Sequence, residues 1–174
     1  MDEPADSGFC VDVDVRDVPG MGRGVFARQA IAEGSIVWRF TEGCYRVYDE
    51  TGFLAAIGPM GHDEVAYELT HVFAFADFPS CLVRILDDGV LINHAQQGTL
   101  ATHFDCGLQD YRDVSGVDDV ARALLGDRFA MIATRDIGAG EELTANYSKD
   151  IFDPPFYLRL CTQYGVDAAY LDGD

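Results

Sequence analysis

"ARQAIAEG", residues 27–34, and "ATRDIGAG", residues 133–140, share one pattern: alanine, isoleucine four positions on, glycine three further. Each copy follows an apolar stretch and leads into another. A glycine at the end of such a stretch permits a tight reversal, because it lacks the Cβ that restricts other residues. The pattern reads as two similar strand–turn–strand corners. Around the first, VFA and SIVWRF form two short strands about Glu33-Gly34, and upstream CVDVDVRDV (10–18) alternates apolar and polar as a half-buried strand does. FAMIATRDI, leading into the second corner, is the strongest strand late in the chain. CLVRIL, GVLIN and TLATHFDC add strands bounded by Asp, Gly or Asn. Residues 62–76 start helical and become extended, and 109–127 form a polar loop followed by one modest helix. Pro154-Pro155 leads into a helix from about 156 to 164. Short strands with glycine corners make a compact, mostly β fold of several short sheets and a few short helices. Long amphipathic helices alternating with strands are absent, which argues against a doubly wound nucleotide-binding sheet.

The 174 residues suit a single domain, with 1–13 as an N-terminal extension, 14–150 as core and 151–174 as a C-terminal lid or tail. No stretch approaches the length of apolar chain that a membrane helix needs. The acidic start, MDEPADSGF, lacks the basic-then-apolar layout of a signal peptide. Five cysteines, at 10, 44, 81, 106 and 161, are odd in number, widely spaced and without a CxxC pair. Neither a zinc site nor a disulfide framework is expected, and the expectation is a reduced, cytoplasmic protein. The four histidines lack metal-ligand spacing, so no metal is expected. Net charge is −18, which repels nucleic-acid phosphates and anionic membranes and attracts basic partners.

Three stretches carry candidate chemistry. GMGRGVF (20–26) places Val25 where a dinucleotide fingerprint starting at Gly20 needs its third glycine, and no GK[ST] follows. What it offers is backbone able to approach a ligand closely. GVLINHAQQGT (89–99) opens as an apolar, buried-looking strand and then presents Asn93 and His94, two side chains that demand hydrogen-bond partners. GEELTANYS (140–148) sends Leu143 and Tyr147 inward, with the phenol arriving just after a strand.

Read together and in order, GRGVFA, LINHA and GEELTANY resemble the SET-domain family of lysine methyltransferases, over approximately residues 14–165. The resemblance implies a β-clip architecture, which the two corners suit, and a C-terminal segment threaded beneath a loop near the Asn–His block. It also implies S-adenosylmethionine as cofactor, with Gly22, Arg23 and Gly24 holding it through backbone groups. Asn93 and His94 would meet its adenosyl and amino-acid portions. Tyr147 would be the catalytic residue, beside the methyl group as it leaves sulfur, and would line a channel for the substrate lysine. Tyr67, Phe75, Phe152, Phe156 and Tyr157 are candidate walls of that channel on aromatic content. The implied partner is a lysine-bearing, basic protein or peptide, reached in the cytoplasm or, in a eukaryote, the nucleus.

The sequence departs from the family at several points. After Asn–His the family runs Ser, Cys, Pro-Asn, whereas here Ala95, Gln96, Gln97, Gly98 and Thr99 follow. Residues 109–127 lengthen the interval to Tyr147, and a cysteine-rich zinc tail is missing. The altered run keeps a second reading open, a SET-like module that binds protein without catalysis.

Overall fold

The computed structural model describes residues 7–102, 114, 116–147 and 151–167, with backbone alone at 102 and 152. In chain order the strands are β1 (Val13–Val18), β2 (Gly22–Ala27), β3 (Ile36–Phe40) and β4 (Tyr45–Tyr48). Helices α1 (Glu50–Ile57) and α2 (His62–Leu69) precede β5 (Val72–Phe75) and β6 (Leu82–Ile85). A single 3-10 turn, Asp88–Leu91, leads to β7 (Asn93–His94) and β8 (Leu100–Thr102). Then come α3 (Val117–Leu124), β9 (Gly126–Ala133), β10 (Glu142–Ala145), β11 (Ile151–Phe152) and α4 (Pro155–Tyr164). Among the described residues the fold is mostly β with four short helices, and mostly β with a few short helices is what the sequence predicts.

The chain divides into two compact units. The first gathers the described residues of Met1–Tyr45, Leu86–Leu108 and Leu124–Tyr147. Its sheet runs β1-β2-β10-β8-β9-β3, with β7 added beside β10. The two corners pair with each other at its heart. Ile31 and Ile137 exchange both backbone hydrogen bonds at 2.9 Å. Gly34 N–H donates to the Ala133 carbonyl at 2.8 Å, and Gly140 N–H to the Ala27 carbonyl at 2.7 Å. The last glycine of each copy thus closes on the first alanine of the other. Both glycines hold positive φ, +78° and +82°, a conformation that a Cβ would strain. Ile31 and Ile137 bury their side chains in one core with Val25, Ile92, Leu100 and Leu143.

One expectation fails locally. GVLIN is not a continuous strand, because Asp88–Leu91 winds into the 3-10 turn and leaves only Asn93–His94 extended. Asp87 is the cause. Its carboxylate accepts from Gly89 N–H at 3.0 Å, capping the turn, and also from Gly8 N–H at 2.7 Å and the Trp38 indole. An Asp side chain that bonds the backbone two residues on bends the chain there. Apolar content alone cannot distinguish this half-buried turn from a buried strand.

The second unit gathers the described residues of Arg46–Ile85, Gln109–Ala123 and Ser148–Asp174. Its sheet order is β11-β5-β6-β4. Asp49 caps α1 by accepting from Gly52 N–H at 2.7 Å. Pro155 occupies the first turn of α4, where its missing N–H costs nothing, and Gly165 ends that helix at φ +66°. Phe53, Leu69, Leu82, Phe156, Tyr157 and Leu160 fill the core. The predicted helix after the polar loop is α3, and residues 62–76 change from helix to strand as expected. Residues 103–113, the end of TLATHFDC and the start of the lengthened interval, lie outside the described residues, as do 148–150, where the threaded segment would begin. No helix among the described residues is long and apolar enough to cross a membrane.

Candidate functional site

One strand, β10, carries the site. It runs antiparallel to β2, with Leu143 opposite Val25 and Glu142 opposite Phe26. On its other side it runs parallel to β7, with Thr144 beside Asn93 and Ala145 beside His94. Three stretches far apart in sequence therefore lie edge to edge. Leu143 is fully buried, so by strand alternation Glu142 and Thr144 face the other way.

Gly24 is buried where β2 meets this face. A Cβ there would lie 2.5 Å from Glu142 Oε1, 2.8 Å from Val18 Cγ2 and 2.9 Å from Asn93 Nδ2. Its φ is not positive, so glycine is required by proximity rather than conformation. Gly22, opposite Val18 at the start of β2, shows the reverse, with φ +90° and open space where its Cβ would stand. The side chain of Arg23, between them, is exposed and has no partner among the described residues.

Asn93 Nδ2 donates to the Arg23 carbonyl at 3.2 Å and to Glu142 Oε1 at 2.8 Å. Both partners are acceptors, so the flipped amide would set oxygen against oxygen. The two amide hydrogens are thus committed inside the protein. Asn93 Oδ1 has no partner among the described residues.

His94 Nδ1 accepts from Tyr147 N–H at 3.1 Å, so the hydrogen of the neutral ring sits on Nε2. The two rings lie 5.5 Å apart, tilted by 52°. The Tyr147 hydroxyl donates to the Ile92 carbonyl. Residues on either side of Asn93 therefore hold Tyr147 at its backbone and at its phenol.

The run that departs from the family is bound along the same strand. Ala95 N–H donates to the Ala145 carbonyl at 3.0 Å, and Asn146 Nδ2 to the Gln96 carbonyl at 3.0 Å. Gly98 packs so close that a Cβ would lie 2.8 Å from the Thr144 carbonyl oxygen. Thr99 is buried, and its hydroxyl accepts from Thr144 N–H at 2.9 Å.

Of the residues singled out in the sequence, Gly24, the Arg23 carbonyl, Asn93, His94 and Tyr147 are brought together around β10, whereas Gly22 stands at the start of β2 opposite Val18 with open space beside it. The aromatic residues named for the channel wall all lie in the second unit. Phe75, Phe156 and Tyr157 are buried there, and the Tyr157 hydroxyl donates to the Leu69 carbonyl at 2.8 Å. Tyr67 is 54% exposed on α2, its ring centred 4.0 Å from that of His71 and tilted by 31°. The backbone of Phe152 pairs with Ala74. Sequence reading missed Glu142 and Thr99. A signal existed for Glu142: in GEEL the buried Leu143 dictates that its neighbours share the face Asn93 occupies.

A family model of the SET domain matches residues 22–148, well over half of the chain, and the protein belongs to that family. SET domains are a family of S-adenosylmethionine-dependent methyltransferases. Among solved structures, ctPRC2 in an autoinhibited conformation bound to S-adenosylmethionine is similar, at a TM-score of 0.56 and 21% identity. That likeness covers 88% of this chain and 17% of the other, so the chain spans less than a fifth of that neighbour. A Plasmodium falciparum candidate histone methyltransferase shows a TM-score of 0.48 and 11% identity over 80% of this chain and 95% of its own. A search of curated proteins finds no match.

Proposed function

We propose that this protein transfers a methyl group from S-adenosylmethionine to a lysine side chain of a basic protein or peptide. The observation that carries this reading is the convergence on β10 of Gly24, Asn93 and Tyr147, with Asn93 left one unpartnered acceptor. The residues present suit the cofactor's amino-acid end, which carries an ammonium and a carboxylate. Asn93 Oδ1 would accept from the ammonium, and the exposed Arg23 guanidinium would answer the carboxylate. The cofactor, when bound, supplies a methyl carbon on a positively charged sulfur.

The protein's own work is positioning, since a direct displacement needs nucleophile, carbon and leaving atom in line. The substrate lysine, with an ordinary pKa of about 10.4, must reach the site as the free amine. Apolar surroundings and a neighbouring positive charge both disfavour its ammonium form, so no dedicated base is needed. Tyr147 suits the orienting role: a phenol whose hydrogen goes to the Ile92 carbonyl presents its oxygen as an acceptor to an amine N–H. The net charge of −18 favours encounter with basic targets, chiefly through association rate.

Labelled S-adenosylmethionine and a library of basic, lysine-containing peptides test this. Transfer of label to lysine is expected. No transfer together with no cofactor binding by calorimetry would reject the reading, and a stable peptide complex without modification would favour the non-catalytic binding module. The anchoring of Ala95–Thr99 along β10 supports the catalytic reading, because the altered run keeps its place beside Asn93.

A further inference from the structure

We propose that Glu142 is a positioning residue that fixes which end of the Asn93 amide faces the ligand, and so makes the site select a donor such as the cofactor's α-ammonium. This rests on the cofactor reading given above. A primary amide is symmetrical in shape and opposite in chemistry at its two ends. Left to itself, Asn93 could offer NH₂ or oxygen to a ligand with little steric difference. Two acceptors decide the matter, the Arg23 carbonyl and the Glu142 carboxylate, both on Nδ2 at 3.2 and 2.8 Å. The carboxylate bond is the shorter, and a charged acceptor makes the stronger bond.

Glu142 is held in place for this. Its backbone pairs with Phe26 on β2, its carbonyl accepts from the buried Thr99 hydroxyl at 3.4 Å, and Oε1 fills the space that glycine at 24 leaves open. With both amide hydrogens taken, Oδ1 is what Asn93 has left to present. A ligand ammonium donates to it, whereas a ligand carboxylate or carbonyl would meet lone pairs.

The test compares equilibrium binding of S-adenosylhomocysteine and its desamino counterpart, in which hydrogen replaces the α-amino group, to the full chain and to two variants. Wild type is expected to prefer the amino-bearing nucleoside by about tenfold or more, the scale of a charge-assisted hydrogen bond. Glu142→Met keeps the length of the side chain but removes the acceptor, and should reduce that preference by about tenfold. Glu142→Gln retains an acceptor oxygen and should restore most of it. A general loss of packing would weaken both nucleosides equally and leave the ratio unmoved.

The side-chain amide of Asn93, observed by nitrogen-15 NMR in the free protein, gives a second readout. One of its hydrogens should lose its hydrogen-bonded shift in Glu142→Met and keep it in Glu142→Gln. Should Glu142→Met fail to fold, Glu142→Ala and Glu142→Gln carry the comparison. A wild type that discriminates, with a Glu142→Met that discriminates equally, overturns the role of Glu142 and leaves the proposed function standing. A wild type that binds neither nucleoside overturns the cofactor reading, and this inference with it.

Discussion

Gly24→Ala is the sharpest probe of whether the glycine block and the Asn–His block form one site. The new methyl group would stand 2.5 Å from Glu142 Oε1, 2.8 Å from Val18 Cγ2 and 2.9 Å from Asn93 Nδ2, separations that no folded protein tolerates. Two of those atoms end polar side chains that can swing away, so the protein should still fold. Swinging away breaks the 2.8 Å bond between Asn93 and Glu142. Crowding a packed position costs about 1 kcal/mol at the low end, and a lost hydrogen bond to a charged group about 1.5 kcal/mol. Together they give about 2–3 kcal/mol, or a fall in Tm of about 4–12 °C for a chain of this size. Thermal melts followed by circular dichroism measure the stability, and calorimetry with S-adenosylhomocysteine measures the affinity, expected to fall about tenfold or more. A double-mutant cycle isolates the cause: with Glu142→Ala in the background, the worst clash is gone and Gly24→Ala should cost at least about 1 kcal/mol less. Gly22→Ala is the control, since its penalty comes from a φ of +90° with open space around it. A Gly24→Ala protein as stable and as competent in binding as wild type would refute the claimed contact between the two blocks.

Tyr147→Phe should lower methyl transfer strongly and leave the cofactor Kd nearly unchanged, with about 1 kcal/mol of stability lost with the bond to the Ile92 carbonyl; equal turnover in single-turnover assays would remove the phenol from the mechanism. Thr99→Val keeps shape but leaves Thr144 N–H without its acceptor in a buried place, so chemical denaturation should register a loss of about 2 kcal/mol. Burial pushes the thiols of Cys44, Cys81 and Cys161 up from their ordinary value. A thiol reagent on the native protein should therefore modify the exposed Cys10 fast and those three only on unfolding, as peptide mapping would show. The same shifts fix a pH dependence. The unfolded chain ionises its thiols first as pH rises, so their contribution is complete below the ordinary thiol range and is lost above about pH 9. A stability that stays flat from pH 8 to 10 would count against it.

How far the sequence determined this protein can be read from its corners. The shared spacing of Ala, Ile and Gly at 27–34 and 133–140 marked two reversals, and spacing is a local property that glycine conformation enforces. What the repeat could not convey is that each corner is completed by the other, Gly34 on Ala133 and Gly140 on Ala27. The residues of the site were legible in the same way, since Gly24, Asn93, His94 and Tyr147 belong to short motifs with a recognisable order. Their meeting was implied by the family resemblance alone, because it depends on β10 pairing with β2 on one edge and β7 on the other, across separations that no local pattern encodes. Asp87 caps the 3-10 turn through the nearby Gly89 N–H, but its carboxylate is also bonded by Gly8 and Trp38, partners that only the folded chain brings near. Glu142 passed unnoticed for a related reason: a carboxylate in a strand reads as solvated surface until the fold sets an amide against it. Local conformation follows from each residue's own geometry, whereas the chemistry of a polar side chain is settled by whichever neighbour the tertiary structure delivers.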